Sequence, residues 1–332
     1  MRYRTFPRCE VTVSEIGFGV WTLTAGWWGS YTEDEAVALL RQAYDLGVTF
    51  YDTADTYGNG WGETILARAF GSMRDKIVIG TKFGYDFYSN PGQRTGQREW
   101  PQNWTAKYLR FALEQSLTRL GTDYVDLYQL HNPRMDALRT DEVFIELDRL
   151  VQEGKIRAYA TALGPALQER QIEEGIASYQ TRNCHGVQII YNLLEQMLGE
   201  AIFPVARQYG GGLMVRVPHS SGMLEGKYTP ETTFPKEDHR SHRPKEWLIE
   251  GLKKIEKLTF LTEGRDLTLG QAALKFILAE PSVTNILPNI YNAEQLVEFA
   301  AASDQPDLTA DDLARIADLY QHNFYLEPSG VA

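Results

Sequence analysis

The chain has 332 residues, 43 % of them hydrophobic, and 33 basic against 44 acidic side chains give a net charge of −11. This length fills one large domain or two ordinary ones, no apolar run is long enough to span a bilayer, and the acidic balance opposes non-specific nucleic-acid binding. Cys9 and Cys184 form neither a disulfide framework nor a CxxC pair, and Arg2, Arg4 and Arg8 precede no apolar segment of a secretory signal, so a reducing cytoplasm is the expected compartment.

Residues 3–6 and 11–13 pattern as a short hairpin around residues 7–10. Eight apolar runs follow, at residues 16–19, 48–51, 77–81, 124–130, 156–161, 186–190, 212–217 and 285–287. Their apolarity is continuous rather than alternating, as in parallel strands buried on both faces. Helical patterns separate them. Thr32-x-x-Glu35 is a capping box, Ala36, Leu39, Leu40 and Ala43 form one stripe, and Gly47 is a stop. Thr268-x-x-Gln271 is a second box, with Pro281 beyond its helix. Strand–helix units of about 30 residues, repeated eight times, predict an α/β fold: a single (β/α)8 TIM barrel over residues 1–332, with the short N-terminal β-hairpin before it. A doubly wound sheet is disfavoured, because Gly17-Phe18-Gly19 leads to Trp21, Trp27 and Trp28 where a dinucleotide-binding turn needs small residues. Long loops, residues 84–104 and 220–244, follow barrel strands 3 and 7 and emerge on the C-terminal face, where barrel active sites sit.

Four chemically capable residues stand at or just beyond strand ends. Asp52 and Tyr57 belong to the run Asp52-Thr53-Ala54-Asp55-Thr56-Tyr57-Gly58-Asn59-Gly60-Trp61-Gly62-Glu63, Lys82 ends the third strand and His131 follows the fourth. In a barrel these ends share one mouth. Hydride addition to a carbonyl carbon leaves charge on oxygen, which needs a proton. A phenol is protonated at neutral pH and can donate one, an ammonium stabilises the resulting phenolate, a carboxylate fixes the ammonium, and an imidazole polarises the carbonyl. Each residue alone also has an ordinary structural reading, but the set at successive strand ends favours chemistry. His239-x-x-His242 has no third ligand at fixed spacing, and no metal is expected.

The run 52–63 resembles the aldo-keto reductase family, in its bacterial branch. So do Thr81-Lys82, Asp126-Leu127-Tyr128-Gln129-Leu130-His131, Gly154-Lys155-Ile156-Arg157-Ala158, Val187-Gln188-x-x-Tyr191-Asn192-Leu193-Leu194 and Gly222-Met223-Leu224-Glu225-Gly226-Lys227-Tyr228. The resemblance covers nearly the whole chain. It implies an oxidoreductase that moves a hydride between NADP(H), with NAD(H) the second choice, and a small-molecule carbonyl or alcohol. Tyr57 would be the acid/base, Lys82 and Asp52 would tune it, and His131 would orient the carbonyl. It implies cofactor contacts at Gly19, Val20, Trp21, Asp52, Thr161, Gln188, Arg216, Val217, Pro218, Ser220, Lys227, Asn289, Tyr291 and Gln295. Substrate contacts fall at Trp21, Tyr57, Phe83 and His131, within aromatic walls that also draw on Trp27, Trp28, Tyr85, Phe87 and Tyr88. Tyr291 stands where an arginine often faces a 2′-phosphate, and Phe299 where an asparagine often holds adenine. Two other readings are a cofactor-binding regulatory subunit resembling potassium-channel β subunits and a sugar or polyol dehydrogenase working oxidatively. No nucleic-acid or membrane partner is expected, and the sequence sets no oligomeric state.

Overall fold

The computed structural model describes residues 1–26, 29–89, 99–236 and 238–327; Trp27 and Trp28 lie outside them. Strands β1 (Tyr3–Thr5) and β2 (Thr12–Ser14) form the antiparallel N-terminal hairpin. Eight further strands pair in parallel in chain order: β3 (Phe18–Gly19), β4 (Phe50–Asp52), β5 (Val78–Phe83), β6 (Val125–His131), β7 (Ile156–Ala162), β8 (Gly186–Ile190), β9 (Gly212–Arg216) and β10 (Val283–Leu287). Ile16, just before β3, bridges in parallel to Ile286, and the Gly17 and Ile286 amides donate to the Ile286 and Glu15 carbonyls at 2.8 Å each. These bonds bring the first and last barrel strands together, giving the expected (β/α)8 barrel.

Around it run α1 (Trp21–Thr24), α2 (Glu33–Asp45), α3 (Trp61–Phe70), α4 (Ala106–Leu120), α5 (Met135–Arg139), α6 (Asp141–Gln152), α7 (Arg170–Gln180), α8 (Met197–Tyr209), α9 (Lys245–Glu256), α10 (Leu269–Leu278), α11 (Ala293–Ala301) and α12 (Ala310–Gln321). Both expected capping boxes form, at Thr32/Glu35 and Thr268/Gln271. Gly47 terminates α2 at φ +89°, a backbone state glycine adopts without strain.

Side-chain alternation separates two cores. Outward residues such as Tyr51, Ile79, Tyr128, Leu130 and Val187 pack beneath the helices. Inward residues Phe50, Val78, Leu127, Ala158, Ala160, Met214 and Leu287 meet Phe6, Val11 and Val13 of the hairpin segment, which stoppers the barrel from below. The fit depends on glycine: a Cβ at Gly186 or Gly212 would lie 3.0 or 2.5 Å from the Phe6 ring.

Candidate active site

Strand ends differ from the sequence expectation by one or two residues: β9 stops one residue short, at Arg216, while β4, β5 and β6 run past their apolar runs. The apolar runs suggest that β4, β5 and β6 stop before their polar residues, yet Asp52, Lys82 and His131 all lie within paired strands. Inward polar groups at the mouth satisfy one another, so the ladder continues through them. Asp52 and Lys82 are 4 % and 1 % exposed. Lys82 Nζ donates to Asp52 Oδ2 at 2.5 Å, to the Thr53 carbonyl at 2.7 Å and to Tyr57 Oη at 3.3 Å. Burial alone would depress this ammonium, but Asp52 and then Tyr57 outweigh it and hold the pKa above the ordinary value. Lys82 is therefore a permanent cation beside the phenol.

The remaining walls are aromatic. The Tyr57 ring lies 5.8 Å from His131 in edge-on contact and 4.9 Å from Trp21, and Tyr85 lies 5.0 Å from His131, also edge-on. Sequence reasoning gave no role to Gln129. Its Nε2 donates to Asp52 Oδ1 at 2.8 Å, and Gln188 Nε2 reaches the same oxygen at 3.2 Å. The signal was present: Gln129 occupies the inward position between Leu127 and His131, where an amide must find a polar partner. Asp52 thus receives donors on both oxygens, which hold it facing Lys82.

Asp55 and Glu63 lie outside this set. Glu63, in the first turn of α3, accepts from the Thr81 hydroxyl at 2.5 Å and from Arg119 Nε at 2.6 Å, which ties the loop carrying Tyr57 to β5 and α4. The Asp55 carboxyl oxygens find no hydrogen-bond partner among the described residues. Burial, then Glu63, pushes that carboxyl well above its ordinary value.

A model of the aldo/keto reductase family matches residues 15–321, nearly all of the barrel. The chain belongs to that family. It is 30 % identical over 291 residues to the aldo-keto reductase YhdN of Bacillus subtilis, covering 85 % of this chain and 82 % of that one. It is also 30 % identical over 316 residues to the L-glyceraldehyde 3-phosphate reductase of Escherichia coli O157:H7, covering 89 % and 87 % respectively. The structure of the glycerol dehydrogenase AKR11B4 from Gluconobacter oxydans superposes with a TM-score of 0.81 at 26 % identity, covering 99 % of this chain and 98 % of that one.

With membership of the aldo/keto reductase family shown, the other expected contact residues divide clearly. Gly19, Gln188 and Arg216 take inward positions at the mouth, and a Cβ at Gly19 would meet nothing within 4 Å. One Arg216 nitrogen donates to the Leu163 carbonyl at 2.7 Å and also to that of Gly164, while its buried Nε has no hydrogen-bond partner among the described residues. Beyond Arg216 the chain turns through Val217, Ser220 and Ser221 at φ 55°, 46° and 57°. A β-branched residue there is strained, and Asn192 holds it by donating to the Val217 carbonyl at 2.9 Å. Pro218 and Ser220 are buried in this turn, Lys227 is exposed, and Asn289 is half-buried after β10.

Three expected contacts need correction. Thr161 faces outward from β7 and donates to Ser178 at 2.9 Å; the inward position beside it is Ala162. Phe83, one residue past inward Lys82, also points outward, stacked on Tyr128 at 4.6 Å and fully buried, and so cannot touch a substrate in the mouth. Val20 packs in the outer core with its amide on the Asp52 carbonyl. Of the other proposed wall residues, Tyr88 packs on Phe111 and Tyr108 of α4, and Phe87 packs between Tyr88 and Trp100. Phe299 is core, 4.3 Å from the buried His219 ring. Among the described residues no group of three or more His, Cys, Asp or Glu could hold a metal ion, and no helix is long and apolar enough to cross a membrane.

Proposed function

We propose that this chain reduces aldehydes or ketones to alcohols with NAD(P)H, and that Tyr57 supplies the proton. The observation that carries this reading is the buried line Asp52–Lys82–Tyr57, with contacts of 2.5 and 3.3 Å, opening on a wall of His131, Trp21 and Tyr85. The residues present suit a nicotinamide dinucleotide. Gly19 leaves open space, Gln188 brings an amide to the mouth, and Arg216 brings a guanidinium there. Such a dinucleotide, when bound, supplies the hydride that the carbonyl carbon accepts.

The protein's own part is the proton and the charge. As negative charge grows on the carbonyl oxygen, Tyr57 Oη gives its proton to that oxygen, and the phenolate left behind faces the Lys82 ammonium. Asp52, pinned by Gln129 and Gln188, keeps Lys82 charged through the cycle. His131 hydrogen-bonds the same oxygen and orients it. Solvent then restores the Tyr57 proton. The aromatic wall favours an apolar or aromatic carbonyl, or the apolar face of a sugar. Run backwards, the same groups oxidise an alcohol. A pure sensor of cofactor needs no buried ammonium behind a phenol, so turnover is favoured over the channel-subunit reading.

Tyr57→Phe keeps the ring and loses the proton. Turnover of aldehydes should fall by at least about 10²-fold, while nicotinamide fluorescence shows the dinucleotide still bound. Near-normal turnover in that variant would refute the assignment.

A further inference from the structure

The loops after β9 and β10 meet beyond Arg216, and a carboxylate has been built into that meeting. Glu225 closes the 3-10 turn Met223–Glu225 between Gly222 and Gly226, both at positive φ (91° and 72°), so its backbone is tightly set. Its Oε2 accepts from Gln295 Nε2 at 2.8 Å and faces the Tyr291 hydroxyl at 3.5 Å. Gln295 cannot turn its amide round freely, because its Oε1 already accepts from the Tyr291 amide at 3.2 Å. Gln295 is fully buried in the first turn of α11, where Asn292 caps its backbone N–H at 2.8 Å.

The N-terminus of a helix is a natural seat for a phosphate, since its N–H groups and dipole favour negative charge. In this chain a carboxylate, Glu225, already stands beside the first turn of α11, bonded to the Gln295 side-chain amide. The nearby cations do not free it. Arg240 spends its guanidinium on both oxygens of Asp238 and on the Tyr228 hydroxyl, and Lys227 is exposed two residues on. Glu298, bonded to Thr268, adds a further negative charge on the same side.

We infer that Glu225 sets cofactor choice, accepting the hydroxyls of an adenosine ribose and repelling a 2′-phosphate, so that the chain selects NAD(H) over NADP(H). This rests on the reductase reading above, with the adenosine half of the dinucleotide lying over Glu225, Tyr291 and Gln295. It departs from the NADP(H) that the family resemblance implies. A carboxylate oxygen accepts bonds from vicinal hydroxyls as neutral donors, whereas a phosphate brings about two further charges into the same half-buried space.

The test is equilibrium titration of the intact protein with NADH and with NADPH, followed by nicotinamide fluorescence. NADH should bind at least about tenfold more tightly. Glu225→Gln keeps the size and the partner Gln295, and should shrink the ratio by at least about fivefold through gained NADPH affinity. Tyr291→Arg, which leaves Glu225 in place, should move the ratio the same way. NADPH binding as tightly as NADH to the unaltered chain, or a ratio unmoved by Glu225→Gln, overturns the inference and leaves the reductase reading standing. Binding of neither dinucleotide overturns both.

Discussion

A buried ammonium is tolerated only when its protons have partners, and Lys82 meets that condition with a carboxylate, a carbonyl and a phenol. Asp55, three residues along from Asp52, does not: its oxygens have no partner among the described residues, and Glu63 repels a charge there. Its carboxyl, raised well above 3.8 by burial and then by Glu63, stays protonated in the fold at pH values where the unfolded chain ionises. The stability it contributes is complete below that unfolded value and declines as pH climbs toward the folded one. Asp55→Asn removes the decline. The melting temperature of Asp55→Asn relative to the parent should therefore rise between about pH 5 and about pH 8. A constant difference across that range would mean that Asp55 is ionised in the fold.

At the scale of elements, the hairpin shows how a local pattern acquires a structural purpose. Phe6 fills the barrel floor only because Gly186 and Gly212 lack side chains. Phe6→Ala should cost about 3–5 kcal/mol in chemical denaturation. Gly212→Ala should cost about 1–3 kcal/mol by overpacking, and part of that cost should vanish in the Phe6→Ala background, because the two residues contend for one volume. Fully additive costs would place Phe6 elsewhere. The hairpin and all eight barrel strands were legible in the sequence, since each is an apolar run bounded by turn or cap residues. Strand ends were not, because Asp52, Lys82 and His131 read as polar terminators until the mouth is seen to satisfy them. That Asp52, Tyr57, Lys82 and His131 would meet at one mouth was legible for the complementary reason: polar side chains at or just beyond successive strand ends are hard to explain as packing. Thr161 and Phe83 were misread because a one-residue step along a strand reverses the face. Glu225 was invisible in its role, as its partners lie 66 and 70 residues downstream.

Across the whole molecule, the backbone bonds that join the two ends of the barrel are flanked by a buried ion pair. Arg4, on the hairpin, donates to Glu15 Oε1 at 2.8 Å and to the carbonyls of Leu278, Glu280 and Val283 at 2.8, 3.2 and 2.7 Å. Glu15 is 3 % exposed, and its other oxygen accepts from Ser303 at 2.9 Å, with Arg2 3.4 Å away. Beyond Glu15, its own carbonyl makes the Ile286 bond that joins the barrel ends. No local pattern announces this, since Arg4 reads as one more terminal basic residue. Arg4→Met strands a buried carboxylate and three carbonyls, and should cost about 3–5 kcal/mol, the range for breaking one side of a buried pair. Arg2 remains on Glu15, which favours the lower end. Arg4→Met combined with Glu15→Gln should cost clearly less than the two single changes added together, because the second change removes the charge that the first left unpaired. Denaturant midpoints of the four proteins decide it: simple additivity would mean that Arg4 acts through the three carbonyls alone, and that the barrel is closed by backbone pairing without its ion pair.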